Sequence, residues 1–372
     1  MSATRAVASI DLGAIRHNTA VLARAAGRAR LMAVVKADGY GHGAVPVARA
    51  ALDGGAVALG VAAAAEAHDL RVAGIDAPIL VMGPLAGGEW DRAAEAGAEV
   101  AAWTPDSVGR AAAAFAARGA RARVHLKIDT GMGRLGARPE DLGALADAAE
   151  AAGVEVVGLM THFATADETQ GDNAAFMAEQ LVRFRAASAA LRARFPGAAR
   201  HASNSAATLR DSAAAFDMVR CGIALYGGSP FAGDPADHDL RPAMSLVSYL
   251  AAVRTVLSRE SVGYGRAWRA ARGTRVGLVP VGYADGYARA MSGRAEVLVA
   301  GRRAPVIGAI SMDQLSIDLG PGAEERVGEE VVLLGRQGAE AVSAEELAVA
   351  RGSINYEVTC AIGGRIPRVH LG

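Results

Sequence analysis

At 372 residues the chain exceeds what one ordinary hydrophobic core organises, so one large and one smaller domain are expected. Its 39 basic and 39 acidic side chains cancel to a formal net charge of +0, which leaves no electrostatic footprint for nucleic acid or an anionic membrane. The start, Met1–Leu12, lacks the continuous apolar core of a signal peptide, and no stretch reaches the roughly 18 apolar residues of a membrane span, so a soluble, cytoplasmic protein is expected.

Hydrophobic residues make up 52 % of the chain and aromatic residues 5 %, with alanine, glycine and valine carrying most of the apolar fraction. Small aliphatic side chains suit helix-on-sheet packing. The two cysteines, Cys221 and Cys360, show no CxxC or disulfide-rich spacing and read as core thiols in a reducing compartment.

From about Leu31 to Gly228, short β-rich runs alternate with longer alanine-rich stretches of helical spacing. The predicted strands are Leu31–Val35, Val57–Val61, Pro78–Met82, Glu99–Trp103, Val124–Ile128, Val156–Met160, Arg200–Ala202 and Met218–Leu225. Ser107–Arg118 and Phe176–Arg194 are among the predicted helices. Such a series of βα repeats predicts an N-terminal (β/α)8 TIM-like barrel over residues 10–235 rather than an open doubly wound sheet. After Pro235, period-two segments at Ser245–Leu257, Thr274–Val281, Glu296–Val299, Pro305–Ile310, Gln314–Leu319 and Val331–Leu334 predict a C-terminal, mostly antiparallel β domain over residues 236–372, to which residues 1–9 could add. Phe231–Asp239, rich in Gly, Pro and Asp, reads as the linker.

In such a barrel, catalytic groups lie just past the C-terminal ends of the strands. Those positions hold Lys36, Asp129 with the Thr130–Gly136 loop, His162, Asn204 with Ser205, and Arg220 to Tyr226. Lysine usage adds to the signal: of the 39 basic residues only Lys36 and Lys127 are lysine. A primary amine forms imines and can lose its proton near neutral pH, whereas a guanidinium does neither. Gly131–Gly136 (GMGRLG) matches a dinucleotide fingerprint, but Glu155 opens the next apolar run where a ribose-binding acid closes its strand, so nicotinamide binding is not expected. No His, Asp or Glu cluster has metal-ligand spacing.

The run Ala33–Gly43 (AVVKADGYGHG) resembles the cofactor-lysine signature of the alanine racemases. The resemblance continues in family order through Lys127–Gly136 (KIDTGMGRLG), Thr161–Asp167 (THFATAD), Asn204–Ala207 (NSAA), Arg220–Gly227 (RCGIALYG), Val262–Gly265 (VGYG), Gly282–Gly286 (GYADG), Ser311–Gln314 (SMDQ) and Ile354–Val358 (INYEV). One block alone would be weak; together they span nearly the whole chain.

The resemblance implies a pyridoxal-phosphate enzyme that interconverts L-alanine and D-alanine by two-base proton transfer and so supplies D-alanine for peptidoglycan. Lys36 would form the Schiff base with pyridoxal 5'-phosphate. The hydroxyls of Tyr40, Ser205 and Tyr356, with the amides of Gly222 and Ile223 at the start of a helix, would hold the phosphate. Arg220 would face the pyridine nitrogen with His162 behind it. Arg134 would meet the phenolic oxygen and the substrate carboxylate, Met312 would offer its amide to that carboxylate, and Lys127, carbamylated in many members, would orient Arg134. Lys36 would serve the D-enantiomer's proton and Tyr264 the L-enantiomer's. A phenolate at Tyr264 requires a nearby cation, for which Arg266 and His162 are candidates. Tyr283 and Asp313 would be supporting residues, with Tyr283 either gating the entrance or packing.

Members of that family are homodimers whose active sites combine one barrel with the partner's β domain, so Tyr264 and Met312 would act across the interface. For Lys127 the bland alternative is an unmodified lysine paired with Asp129, and for Arg220 a plain salt bridge. Rival functions are a barrel-type decarboxylase, which places an acid where Arg220 stands, a non-catalytic pyridoxal-phosphate carrier, which lacks a second domain, and a racemase that also accepts serine.

Overall fold

The computed structural model describes residues 4–372. The first strand, Val7–Asp11 (β1), does not join the barrel: it pairs antiparallel with Met244–Tyr249 (β10) and parallel with Arg368–Leu371 (β20). The barrel begins with Arg30–Val34 (β2). It continues through Ala58–Val61 (β3), Ile79–Val81 (β4), Glu99–Ala102 (β5), Arg123–Lys127 (β6), Glu155–Met160 (β7), Ala199–His201 (β8) and Met218–Cys221 (β9). All neighbours are parallel, and β9 closes on β2.

The strands form where the sequence is apolar on both faces, because one face meets the barrel interior and the other the helices. Every residue of β3 and β5 is buried. Alanines on the helices let them approach closely: Ala48, Ala51, Ala67, Ala111, Ala146 and Ala149 are fully buried. Local caps set the helix starts. Thr104 accepts the Ser107 amide while Ser107 Oγ accepts the Thr104 amide, and Pro105 opens the helix Pro105–Ala116.

Two predicted segments differ in instructive ways. Met218–Leu225 is a strand only to Cys221; Gly222 leaves the strand, and Ile223–Tyr226 winds into a short 3-10 turn. That turn is buried on all sides, so its sequence reads as a continuation of the apolar strand. Ser245–Leu257 is two strands, β10 and Ala252–Val256 (β11). At the break the Leu250 amide donates to Glu329 while the Ala251 amide donates to Leu278, so the chain changes partner strand without losing its period.

The remaining strands are Ser261–Val262 (β12), Trp268–Arg269 (β13), Thr274–Val279 (β14), Glu296–Val299 (β15), Arg302–Ile307 (β16), Leu315–Gly320 (β17), Glu330–Gln337 (β18) and Glu340–Val342 (β19). They form a mostly antiparallel sheet in the order β11-β14-β17-β16-β15-β18-β10-β1-β20, with β12 paired to β13 apart from it. Two helices that the period-two pattern does not suggest, Ala344–Arg351 and Asn355–Cys360, follow the sheet. Asn355 Nδ2 donates to the Ser229 carbonyl and to Glu345, each at 2.8 Å, which pins the second helix against the barrel mouth.

The barrel interior is filled by Met32, Ala58, Leu80, Ala101, Met160, Ala199 and Met218. Gly158 of β7 lies opposite His125 of β6, and a Cβ there would stand 2.0 Å from His125 Nδ1. Gly158→Ala is therefore expected to cost about 1–3 kcal/mol by overpacking, read from the denaturant midpoint. An unchanged midpoint would show that the ring has room to move.

Candidate active site

Lys36 stands two residues beyond β2, at the C-terminal mouth of the barrel. The backbone after it does something rare. Ala37, Asp38, Gly39 and Tyr40 all have positive φ, between 50° and 61°. Left-handed backbone costs a non-glycine residue roughly 1–2 kcal/mol, so this turn exists only because its surroundings hold it. Glu66 is the main clamp: its carboxylate accepts the amides of Ala37 (2.7 Å), Ala62 (2.7 Å) and Ala63 (3.1 Å). Asp38 accepts the Ala44 amide at 2.8 Å, and buried His42 contacts the carbonyls of Gly39 and Tyr40 through Nδ1. The result projects Lys36 and Tyr40 into one cavity.

That cavity, of about 540 Å³, is lined by Lys36, Tyr40, Lys127, Arg134, His162, Ser205, Arg220, Gly222, Ile223 and Tyr356, together with residues such as Met82, Asn204 and Cys360. Ten residues expected at the site thus converge from five strand ends and the C-terminal helix. Tyr40 stacks on Tyr226 with ring centroids 4.8 Å apart and lies 6.2 Å from the Tyr356 ring. A Cβ at residue 222 would stand 2.3 Å from Tyr40 Oη, so only glycine leaves room for that hydroxyl. The Gly222 amide donates to Ser205 Oγ at 2.9 Å. Burial raises the pKa of Tyr40, and burial with the charge of Asp167 pushes Tyr356 up to about 12. Both are neutral O–H donors.

Arg220 is buried in β9, and among the described residues no carboxylate pairs with it. Its Nη1 donates to the His201 carbonyl (2.8 Å) and His201 Nδ1 (3.0 Å). Its Nη2 donates to Thr161 O (2.6 Å) and Ala202 O (3.0 Å) and lies 3.4 Å from His162 Nδ1. The terminal nitrogens are committed, and among the described residues none of the hydrogen bonds of Arg220 uses Nε. The plain salt bridge is not what the residue makes.

The cavity is rich in positive charge. Lys36 is held below the ordinary lysine range by burial and by Arg134, against the opposing charge of Glu66. Lys127 falls to about 8 through burial and the charges of Arg220 and Arg134, opposed by Asp129. Asp129 does not pair with it directly; its Oδ1 accepts the amides of Gly131 (2.9 Å) and Gly133 (3.2 Å). His162 drops to about 3 through burial and the same cations. A neutral His162 cannot be the cation that favours a phenolate, which corrects that expectation.

Other expected residues lie elsewhere. Tyr264 sits in a short turn beyond β12 and lines a separate open cleft with Gly263, Arg254 and Ser311. It is 70 % exposed, Met312 52 % and Tyr283 40 %. Arg266 donates through Nε to Ser261 Oγ. Asp313 pairs with Arg365 at 2.6 Å beside Met312. Cys360 is exposed at the cavity and is not a core thiol, while Cys221 is buried as expected. Glu66 and Cys360 escaped sequence reasoning; only the position of Glu66 in the first turn of a helix offered a signal for it.

A barrel whose strand ends gather a lysine amine of lowered basicity among anion-binding donors has the layout of an enzyme active site. The chain belongs to the alanine racemase family. The model described as alanine racemase, N-terminal domain, matches residues 10–230, and that described as alanine racemase, C-terminal domain, matches residues 243–370. The chain is 45 % identical to an alanine racemase of Symbiobacterium thermophilum over 98 % of this chain and 97 % of that one. Among solved structures, the alanine racemase of Streptomyces coelicolor A3(2) superposes with a TM-score of 0.94 at 44 % identity, covering 99 % of this chain and 98 % of that one. The enzyme of Streptomyces lavendulae gives 0.93 at 42 % identity, with 100 % and 98 % covered. No helix among the described residues is long and apolar enough to cross a membrane.

The lowered Lys127 amine has a direct consequence. Labelling by cyanate, followed by peptide mapping, should rise through about pH 8 at Lys127. Labelling that begins only above pH 10 would show an ordinary surface-like lysine.

Proposed function

We infer that this chain racemises alanine, using pyridoxal 5'-phosphate held in the cavity around Lys36, and works as a homodimer that supplies D-alanine for peptidoglycan in the cytoplasm. The observation that carries this reading is the pairing of a deprotonation-prone Lys36 with a buried Arg220 that has no acid beside it. The barrel proposed over residues 10–235 holds the cofactor, and the β domain proposed over residues 236–372 supplies the second proton carrier.

The cavity fits the cofactor on several counts. Its cation surplus suits a phosphate. Tyr40, Tyr356 and Ser205 offer hydroxyls and Ile223 an amide, and the glycine at 222 leaves the Tyr40 hydroxyl its place. Pyridoxal phosphate, when bound, supplies the electron sink that makes the substrate's Cα–H acidic. Lys36 would hold the aldehyde carbon of that group, and its freed amine would take or return a proton at the substrate's Cα on one side. Arg220 would offer the ring nitrogen a permanent donor; a guanidinium does not release a proton near neutral pH, so that nitrogen would stay unprotonated. This weakens the sink and disfavours protonation at the wrong carbon, and it argues against the decarboxylase. Arg134, which lines the cavity, would bind the substrate carboxylate and the phenolic oxygen.

A lysine near pKa 8 surrounded by Arg220 and Arg134 is suited to carbamylation, since a neutral amine attacks carbon dioxide and the product carbamate would answer both guanidinium charges. The carbamate at Lys127 would then orient Arg134.

Tyr264 takes the opposite side of Cα. It and Met312 are exposed and lie outside the Lys36 cavity of their own chain, which supports a site shared between two copies. With His162 neutral, Arg266 remains the candidate cation, in the same short turn as Tyr264. The second domain carrying Tyr264 speaks against a non-catalytic carrier. A small apolar pocket rejects one extra hydroxyl weakly, so some serine turnover accompanies alanine.

Purified holoprotein should convert L-alanine to the racemate in an enantiomer-resolved assay. Lys36→Ala should lose both the cofactor's visible absorbance and activity, while Tyr264→Phe should keep the absorbance and lose turnover chiefly from L-alanine. Mixing the two variants under subunit exchange should restore part of the activity. Absence of any restoration would contradict shared sites, and retained absorbance in Lys36→Ala would contradict the cofactor assignment.

A further inference from the structure

A continuous line of buried polar side chains crosses the otherwise apolar packing in the lower part of the barrel interior, below the cavity that Lys127 lines. Glu99 of β5, His125 of β6, His201 of β8 and Arg220 of β9 are all buried. Glu99 Oε2 lies 2.7 Å from His125 Nε2. His125 Nδ1 lies 2.8 Å from His201 Nε2, the two rings edge to face. His201 Nδ1 lies 3.0 Å from Arg220 Nη1. Burying these groups where Met and Leu fill the rest of the interior carries a desolvation cost. The fold also makes room for them, with Gly158 beneath the His125 ring and a register shift between Val124 and His125 in the pairing with β7.

The line has a single possible direction. A guanidinium only donates, so His201 Nδ1 accepts. The proton of His201 is then on Nε2 and is donated to His125 Nδ1. That leaves His125 with its proton on Nε2, donated to Glu99. Each ring is held in one neutral tautomer, between a guanidinium at one end and a carboxylate at the other. The reverse order would set N–H against N–H at Arg220. Glu99 is ionised: burial would raise its pKa, but the hydrogen bond from His125 and the Arg123 guanidinium, 2.7 Å from Oε1, hold it below the ordinary carboxylate range.

We propose that Glu99 is the remote counter-ion of Arg220, and that the two histidines between them are positioning residues which fix the guanidinium facing the cofactor's ring nitrogen. The proposal deepens the cofactor reading and rests on it. Its physical logic is a separation of duties. A carboxylate in contact with Arg220 would neutralise its charge but would also stand within reach of the ring nitrogen as a proton donor when protonated. Placed two imidazoles away, Glu99 compensates the charge and polarises the line, while only the guanidinium meets the ring.

The test uses the holoenzyme with 15N-labelled histidine and long-range proton–nitrogen correlation spectra. In the unsubstituted protein both His125 and His201 should appear neutral with the proton on Nε2. Glu99→Gln should break that uniformity, giving His125 a mixed tautomer signature. It should also lower kcat for L-alanine about tenfold, the scale at which outer partners of a liganding side chain act, with KM within about twofold. A charged ring or an Nδ1 proton in the unsubstituted protein would overturn the proposal even if Glu99→Gln failed to fold. So would a folded Glu99→Gln that kept both tautomers and full kcat. A colourless, inactive unsubstituted protein would instead overturn the cofactor reading, and the tautomer spectra would still decide the relay.

Discussion

Everything at the mouth of this barrel follows from an excess of buried positive charge. Lys36, Lys127, Arg134 and Arg220 line one cavity. The acids that act on them are already committed: Glu66 to three backbone amides and Asp129 to two. Burial penalises the charged forms, and cations crowded in low dielectric disfavour one another besides. The amines therefore give up protons more readily than ordinary lysines, the imidazole of His162 stays neutral, and the site favours an anionic ligand. An amine suited to attack a carbonyl and a pocket suited to an anion are two results of one electrostatic condition.

The fold sustains that condition by expensive local means. Left-handed backbone from Ala37 to Tyr40 is held by Glu66, Asp38 and His42, and it delivers the lysine and a phenol to the same wall. Arg220 is kept ionised without a neighbouring acid by carbonyl acceptors and by the histidine line through the barrel. The C-terminal sheet contributes in two directions. Its last helix brings Tyr356 to the cavity of its own chain, while Tyr264 and Met312 are exposed and do not line it.

The barrel was readable because its strands are apolar on both faces and stand at regular intervals. The reactive residues were readable because lysine is so scarce that each one needed a reason. Reading failed where a pattern had a second physical cause. The buried 3-10 turn Ile223–Tyr226 looks like a strand, and β10 and β11 keep one period while changing partners. The helices Ala344–Arg351 and Asn355–Cys360 follow strands without a break in composition, so Cys360 was misplaced in the core. Glu66, Glu99, His125 and His201 act through contacts between residues far apart in the chain, and no local spacing announces them. The charge of His162 depends on which cations surround it, a property of the folded cavity alone.

The most direct measurement is borohydride reduction of the protein with pyridoxal phosphate, followed by peptide mapping. A cavity organised around the amine at position 36 predicts one pyridoxyl group per chain, on the peptide that contains Lys36. A label on Lys127, labels shared between the two, or no label at all would contradict it.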